Sequence, residues 1–327
     1  MRAVVIERFG EPTEVLAVAE RPTPEPGPGE VRIALILAPI HNHDLAIVRG
    51  VYGYKPPLPA IPGTEAVGRI DAVGPGVTDI AVGQRVSVSG INAAWAEYFL
   101  AKAAQVVPLP DSISDDTAAQ LLSMPLSALM LLEDLRVSEG DWIAINAANG
   151  AVGRLVNVLA RQRGVNVLNL VRGPASVKAL LAQGFDEVVD TETADWFDRA
   201  AELTSGAPII RAVDQVSGRG AGDLLSLLAP NGELISFGAL SGQPLTINPG
   251  DLIFKQAVVK GFWGAKRAEN TGKDELRRLI GELVGLAARG ALRLDVEATF
   301  GLESAAEAAA ASESRGRSAK IVLAPKQ

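Results

Sequence analysis

The sequence predicts an α/β protein of two domains, a strand-rich barrel or sandwich and a doubly wound parallel sheet. Three observations carry this. The chain has 327 residues, more than one ordinary core accommodates. Its first third consists of short β-branched runs punctuated by Pro and Gly, the texture of strands joined by tight turns. From about residue 123 strand-like and helix-like segments alternate, which implies βαβ units and a sheet covered on both faces.

In the first third, strands are expected in MRAVVIE, EVRIALILA, EAVGRIDAVG and QRVSVSG. The apolar stretch from Ala118 to Leu132 is interrupted by Gln120, Ser123, Pro125 and Ser127. It falls short of the roughly 18 to 20 residues that span hydrocarbon and reads as a buried helix. The alternating half then runs DWIAIN, a helix from Ala151 to Arg163, NVLNLV, a helix in SVKALLAQ, and EVVD. A helix near Ala194 to Leu203, the strand IIRAVDQV, a helix from Ala221 to Leu228, and the strands ELISFGA and AVVKGFW follow. After Trp263 the alternation stops, and Leu276, Leu279, Ile280, Leu283 and Leu286 fall on one face of a long amphipathic helix. VEATF, an Ala-rich helix from Ser304 to Ala311 and AKIVLAP close the chain. A terminal strand needs a neighbouring ladder, so this segment is expected to return to the first domain. The expected domains are residues 1–122 completed by 265–327, and residues 123–264.

Composition excludes several chemistries. The chain has no cysteine, hence no disulfide, iron–sulfur cluster, thiolate nucleophile or cysteine-built zinc site. His41 and His43 are its two histidines. With Asp44 and Glu65 they form one group of metal-ligating types, but no further His or Cys lies downstream to close a shell, so no metal is expected. The two are read instead as partly exposed loop residues that make hydrogen bonds. A net charge of -7 gives no footprint for phosphate backbones, so nucleic acid is not an expected partner. The apolar run Ala3 to Ile6 is too short for a signal sequence. A cytoplasmic protein acting on a small molecule, with no membrane partner, is the expectation.

The strongest local signal is DWIAINAANGAVG, a strand running into a Gly-containing turn and a helix. That is the setting of a dinucleotide fingerprint, with Gly150 near a pyrophosphate, Gly153 packing the helix on the sheet, and phosphate on the helix N-terminus. Ala148 stands where the full fingerprint has its first Gly, and an ordinary strand-to-helix turn remains the alternative. At the end of the next strand a site selective for NAD carries Asp or Glu, whereas this chain has Arg172, with Lys178 beyond it. A guanidinium suits the 2′-phosphate of NADPH; a solvent-facing Arg is the alternative. Tyr52, in Gly-Tyr-Gly, offers a phenol that is protonated at neutral pH and can serve as a general acid. Taken alone, a Tyr in such a loop is more often a packing or substrate-lining residue, and Tyr54 competes with it. Glu65 reads as a buried, hydrogen-bonded structural residue.

Taken together, the chain resembles the zinc-independent medium-chain dehydrogenase/reductases almost end to end, and most of all the 2-enoyl thioester reductases. The matching residues are API followed by Asp44 and Gly50-Val51-Tyr52-Gly53, Asn146 to Gly153, and Asn169-Leu170-Val171-Arg172. Leu252-Ile253-Phe254-Lys255 leading to Gly261-Phe262-Trp263, and Ser318-Ala319-Lys320, complete the match. The resemblance implies a GroES-like β-barrel domain plus a Rossmann domain. It implies an NADPH-dependent reduction of trans-2-enoyl-CoA or acyl-carrier-protein esters, hydride going to the β-carbon and Tyr52 supplying the proton. By the same resemblance Asn149, Gly150, Ala151, Val152 and Gly153 hold the pyrophosphate and Arg172 the 2′-phosphate. Phe237, Gly238, Ala239 and Leu240 with Phe262, Trp263 and Gly264 line the nicotinamide, and Lys320 and Met124 also meet the cofactor. A homodimer paired through the strand near Ala257 to Phe262 is implied as well. The chain departs from the family at His41-Asn42-His43-Asp44, where these reductases read Asn-Pro-Ser-Asp, and at Gly173-Pro174, where a second basic residue is common. His41 and Thr64 stand where zinc-dependent alcohol dehydrogenases keep ligands. The related NADPH:quinone oxidoreductases are the alternative; the Phe-Trp pair favours enoyl reduction. An NADPH-binding sensor or scaffold without turnover is the alternative of another class.

Overall fold

The computed structural model describes residues 1–314, 317 and 319–325. Its contacts divide the chain into one unit of residues 1–123 with 280–327 and another of residues 124–279. Ser318 of the expected Ser-Ala-Lys match lies outside the described residues.

The first unit opens with β1 (Arg2–Val5), α1 (Pro12–Val15), β2 (Ala17–Glu20), β3 (Glu30–Pro39) and α2 (Asn42–Arg49). It continues with β4 (Glu65–Val73), β5 (Arg85–Ser89), β6 (Tyr98–Lys102), β7 (Val107–Pro108) and α3 (Asp115–Ala118). Strand β3 is the hub. Its alternation sends Val31, Ile33 and Leu35 into the core, as a period of two requires, and it pairs antiparallel with both β4 and β6. Strand β4 continues the sheet to β5, and β5 to β7. Trp95 and Phe99, both buried, fill the interior with Ile6, Ile40 and Leu45.

The second unit holds α4 (Met124–Leu135), β8 (Trp142–Asn146), α5 (Ala151–Gln162), β9 (Asn166–Val171) and α6 (Pro174–Ala182). Then come β10 (Val188–Asp190), α7 (Trp196–Leu203), β11 (Ile209–Asp214), α8 (Arg219–Leu227) and β12 (Leu228–Ser236). It closes with α9 (Pro249–Phe254), β13 (Val258–Gly261), α10 (Gly264–Glu269) and α11 (Lys273–Ala288). All six strands are parallel, in the order β10-β9-β8-β11-β12-β13. Strands covered on both faces need no polar side, which is why NVLNLV and IAIN are nearly continuous apolar runs. The strand order reverses between β8 and β11, and in such sheets ligands bind outside the carboxyl ends of the strands at that point. Strand β13, expected to pair two copies, is one of the two edge strands, β10 being the other.

After α11 the chain returns as β14 (Val296–Gly301), α12 (Ala305–Glu313) and β15 (Lys320–Ala324). Strand β15 pairs parallel with β14 and antiparallel with β3, the ladder that the closing segment was expected to find.

Two expectations need correction. The single buried helix from Ala118 to Leu132 is two helices, α3 ending at Ala118 and α4 starting at Met124. Pro125 has no N–H for a preceding turn and takes the second position of a new helix. In the gap, the N–H groups of Leu122 and Ser123 bond the Glu65 carboxyl instead. The return to the first unit falls at residue 280, inside α11, rather than at 265. Strand alternation does end near Trp263. Helix α10 and α11 as far as Leu279 nevertheless stay with the second unit, where Arg267 pairs with Asp134 at 3.0 Å and Arg278 with Glu133 at 3.0 Å, both partners on α4.

Arg85 tests the first unit. Its buried guanidinium meets Asp115 at 2.5 Å and the carbonyls of Pro110 at 2.8 Å and Ile113 at 2.6 Å. An Arg85→Ala protein leaves these acceptors without their fork, which should cost about 2–4 kcal/mol, with Asp115 partly resolvated. Thermal melts should show a midpoint lower by roughly 5–10 °C, with Arg85→Lys intermediate.

Candidate functional site

In the first unit the site begins with the start of α2. The carboxylate of Asp44, on the first turn, accepts the backbone N–H of His41 at 2.9 Å, half of a capping box that fixes how the chain enters the helix. Gly50 ends α2 in the left-handed region at φ 72°, the usual helix stop. The N–H groups of Val51 and Tyr52 then fold back on the carbonyl of Ala46 at 3.0 and 3.2 Å. That turn returns Tyr52 toward the beginning of its own helix. Its ring centroid lies 5.9 Å from that of His43, and the His43 ring stacks on His41 at 5.0 Å. Tyr54 is exposed, and the phenol ring beside His43 is that of Tyr52.

Hydrogen bonds tie these rings to the start of β4. The hydroxyl of Thr64 donates to Asp44 Oδ1 at 2.8 Å. Its one proton is committed there, so its oxygen accepts from His43 Nε2 at 2.7 Å. A hydroxyl arranged this way is not a nucleophile activated by histidine, which argues against an acyl-transfer site. His41 Nε2 and Glu65 Oε2 share a hydrogen bond of 2.7 Å, both side chains buried. Glu65 Oε1 accepts from Leu122 N at 2.7 Å and Ser123 N at 2.8 Å. The expectation that both histidines are partly exposed therefore fails for His41, which is 1% exposed; the walls of this unit close over it. Lys320 Nζ donates to the carbonyl of Ile40 at 3.4 Å.

Burial dominates the electrostatics, since each charged form loses its water. It pushes Glu65 up to about 8 and the Lys320 amine down to about 8. It holds His41 well below the ordinary imidazole range, helped by the Lys320 charge. His41 is thus neutral at pH 7.

In the second unit the turn after β8 is shaped at Ala147, which takes φ 48°. The left-handed residue is one position before Ala148, the residue aligned with the fingerprint's first Gly. Gly150 then caps α5 without a side-chain bond, so the first N–H groups of Ala151, Val152 and Gly153 have no partner within the helix. A Cβ on Gly153 would lie 2.5 Å from the carbonyl oxygen of Ala148, so this helix packs on the turn only with Gly there. Asn149 is half-buried and its amide reaches Ser176 Oγ at 3.5 Å. Arg172, directly after β9, is exposed, as is Lys178.

Further along the same carboxyl edge, the rings of Phe237 and Phe262 stack at 5.6 Å. Gly238 and Ala239 continue the segment after β12, with Leu240 and Trp263 exposed at its rim. Met124 opens α4 and Gly264 opens α10, and the two helices pack together. The structure thus gathers the expected cofactor residues of the second unit along the ends of β8, β9, β12 and β13. Tyr52 and Lys320 belong to the first unit.

The roles of three residues escaped sequence reasoning. Buried Asn146 closes β8 and donates to Asp214 Oδ1 at 2.6 Å, while its own oxygen accepts Gln215 N at 2.7 Å. Asp214 closes β11 and also accepts the N–H groups of Val216 at 3.0 Å and Ser217 at 3.0 Å. The available signal was a polar residue ending each of two apolar runs. Asp190 was missed as well; its Oδ1 accepts Gly173 N at 2.8 Å and holds the turn after Arg172.

Two family models match the chain, the alcohol dehydrogenase GroES-like domain over residues 27–111 and the zinc-binding dehydrogenase model over residues 151–282. The chain is similar to the mitochondrial enoyl-[acyl-carrier-protein] reductase of Arabidopsis thaliana, 30% identical over 90% of this chain and 80% of the relative. The corresponding Xenopus tropicalis protein is 31% identical over 89% and 86%. Among solved structures it resembles a quinone oxidoreductase of Pseudomonas syringae, with TM-score 0.88, 29% identity and 99% of each chain covered. It also resembles the Escherichia coli quinone oxidoreductase complexed with NADPH, with TM-score 0.89, 27% identity and coverage of 99% and 100%. The second model's description names zinc, but among the described residues no three His, Asp or Glu are placed to hold a metal ion. The donors at His41, His43, Asp44, Thr64 and Glu65 are bonded to one another instead. No helix among the described residues is long and apolar enough to cross a membrane.

The raised Glu65 predicts a pH effect of definite sign. A carboxyl that titrates near 8 folded and near 4.5 unfolded binds its proton more tightly in the native state, so stability falls as pH rises between those values. Glu65→Gln mimics the protonated acid and removes this loss. In urea titrations from pH 5 to pH 9 the variant should gain on the natural protein by on the order of 2–4 kcal/mol; parallel pH profiles would show Glu65 ionised throughout.

Proposed function

Because this chain belongs to the medium-chain dehydrogenase/reductase superfamily, whose oxidoreductase chemistry it shares, we propose that it is an NADPH-dependent, zinc-independent reductase of α,β-unsaturated thioesters. The observation that carries the reading is Tyr52, brought by the Gly50 stop against His43. It sits in a chain that aligns over nine tenths of its length with enoyl-[acyl-carrier-protein] reductases.

Bound NADPH supplies the hydride that adds to the electron-poor β-carbon. The chain's residues do the rest. The free N–H groups of Ala151, Val152 and Gly153 bind the pyrophosphate, where the helix dipole favours an anion. Arg172 pairs with the 2′-phosphate through its planar fork of donors. Phe237 and Phe262 present a flat apolar wall to the nicotinamide, and Lys320 adds a positive charge for the cofactor. Tyr52 gives its phenolic proton to the α-carbon, so that no free enolate is released.

A second reading, reduction of quinones by the same cofactor, is favoured by the likeness to NADPH-bound quinone oxidoreductase. Steady-state NADPH oxidation with crotonyl-CoA, a longer enoyl-CoA, 1,4-benzoquinone and 9,10-phenanthrenequinone separates the two. Turnover of the thioesters supports the proposal, and a strong preference for quinones replaces it.

Two variants test the residue roles. Tyr52→Phe should lower kcat for crotonyl-CoA by about 10² to 10⁴ while the Kd for NADPH stays within a factor of two or so; an unchanged rate removes Tyr52 from the mechanism. Arg172→Ala should raise the KM for NADPH by about 10- to 100-fold, the worth of a charge-assisted contact, and leave that for NADH nearly unchanged. Equal effects on both would count against the 2′-phosphate role.

A further inference from the structure

Each proposed turnover leaves Tyr52 as a phenolate, and its proton has to be restored before the next. His43 is the ring beside Tyr52. Its surroundings fix which of its nitrogens can act. The Thr64 hydroxyl donates to Asp44 Oδ1 at 2.8 Å and so must accept from His43 Nε2 at 2.7 Å. Asp44 Oδ1 itself lies 3.6 Å from that nitrogen. Nε2 therefore keeps its hydrogen in the neutral and the charged ring alike, and Nδ1 is the nitrogen free to gain and lose a proton. About 20% of the His43 side chain reaches solvent. His41, stacked on it, is buried and bonded to Glu65, and its neutral ring puts no second cation beside His43.

We infer that His43 is the proton-relay residue of this site: oriented by Thr64 and Asp44, it returns to Tyr52 the proton that the phenol gives up. The inference rests on the reading of Tyr52 as the acid. In the step, the Nδ1–H bond of the imidazolium breaks and the O–H bond of Tyr52 re-forms. The neutral imidazole is then reprotonated from water, which meets about 20% of the side chain, and no electrons change hands. His43 acts through Tyr52 rather than on the substrate. The family's usual serine at this position has no proton to lend at neutral pH, so the relay is a property of this chain.

The test compares His43→Gln, Thr64→Val and Tyr52→Phe with crotonyl-CoA and NADPH, with and without millimolar imidazole. His43→Gln should lower kcat about 10-fold or more, leave both KM values nearly unchanged, and recover when free imidazole is added. Thr64→Val should show a smaller loss of the same kind. Full-speed His43→Gln beside a slow Tyr52→Phe overturns the relay alone. Loss without imidazole rescue and with rising KM also overturns it, since that is the signature of a structural role. Full-speed Tyr52→Phe overturns the reading beneath it, and the relay with it. A measurement on the natural protein needs no turnover. The chain has two histidines, so ¹⁵N-histidine labelling gives two imidazoles, assigned with the His43→Gln variant. Neutral His43 protonated at Nε2 supports the orientation by Thr64, and the opposite tautomer overturns it.

Discussion

The side chain of Glu65 has no solvent exposure, and each of its oxygens must find partners inside the protein or cost a few kcal/mol. The fold supplies three: two backbone N–H groups from Leu122 and Ser123, and His41 Nε2. These partners come from two stretches of the chain, and Glu65 itself from a third, so satisfying one acid brings together the entry to α2, the start of β4 and the segment ahead of α4. Tyr52, His43 and Thr64 are carried on those stretches. Misplacing any one of them would leave a buried polar atom unpaired, which is why the loops of this unit hold one arrangement. The rise of Glu65 to about 8 is the same constraint seen from the proton's side: a neutral acid needs fewer partners than an anion.

The second unit applies that rule at a different place. Where its strand order reverses, the chain ends of β8 and β11 would leave N–H groups exposed to an empty turn. Asp214 gathers the N–H groups of Val216 and Ser217 and the amide of Asn146 into one cluster. The turn after β8 is therefore braced from the sheet side, and its outward face keeps the free N–H groups that open α5. Gly153 adds the close approach that lets the helix begin there. A binding edge built this way is rigid before any ligand arrives, which lowers the ordering cost of binding.

Much of this was legible in the sequence because it rests on periodicity. The βαβ alternation, the amphipathic stripe of α11 and the strand that returns to β3 all follow from which residues are apolar and at what spacing. The strand, turn and helix around Gly150 were legible because their signals are local. What was missed is relational. Nothing local says that Ser123-Met124-Pro125 starts a new helix, since the N–H groups ahead of it are claimed by a glutamate far away in sequence. The burial of His41 likewise depends on Glu65 and the walls around it. Asn146 and Asp214 looked like polar strand ends, and only their pairing across the sheet gives them a role. The boundary near 265 slipped because the alternation ends there, while ion pairs from α10 and α11 back to α4 keep the next stretch with the second unit.

The arrangement of proton donors bears on which electrophile this reductase serves. Hydride reduction of a quinone leaves charge on oxygen, and oxygen takes its proton from water almost without a barrier. Hydride addition to an enoyl thioester leaves an enolate whose α-carbon is protonated slowly, so a fixed donor at the carbon changes the rate. A phenol turned back on its helix by Gly50, with a partly exposed imidazole beside it whose Nε2 is held by Thr64, is of use in the second case and idle in the first. The same logic explains why the neighbouring histidine is kept neutral. A charged His41 against His43 would disfavour an imidazolium there, and burial, helped by the Lys320 charge, removes that charge. The polar residues that distinguish this loop from Asn-Pro-Ser-Asp therefore weigh toward carbon, rather than oxygen, as the atom that receives the proton.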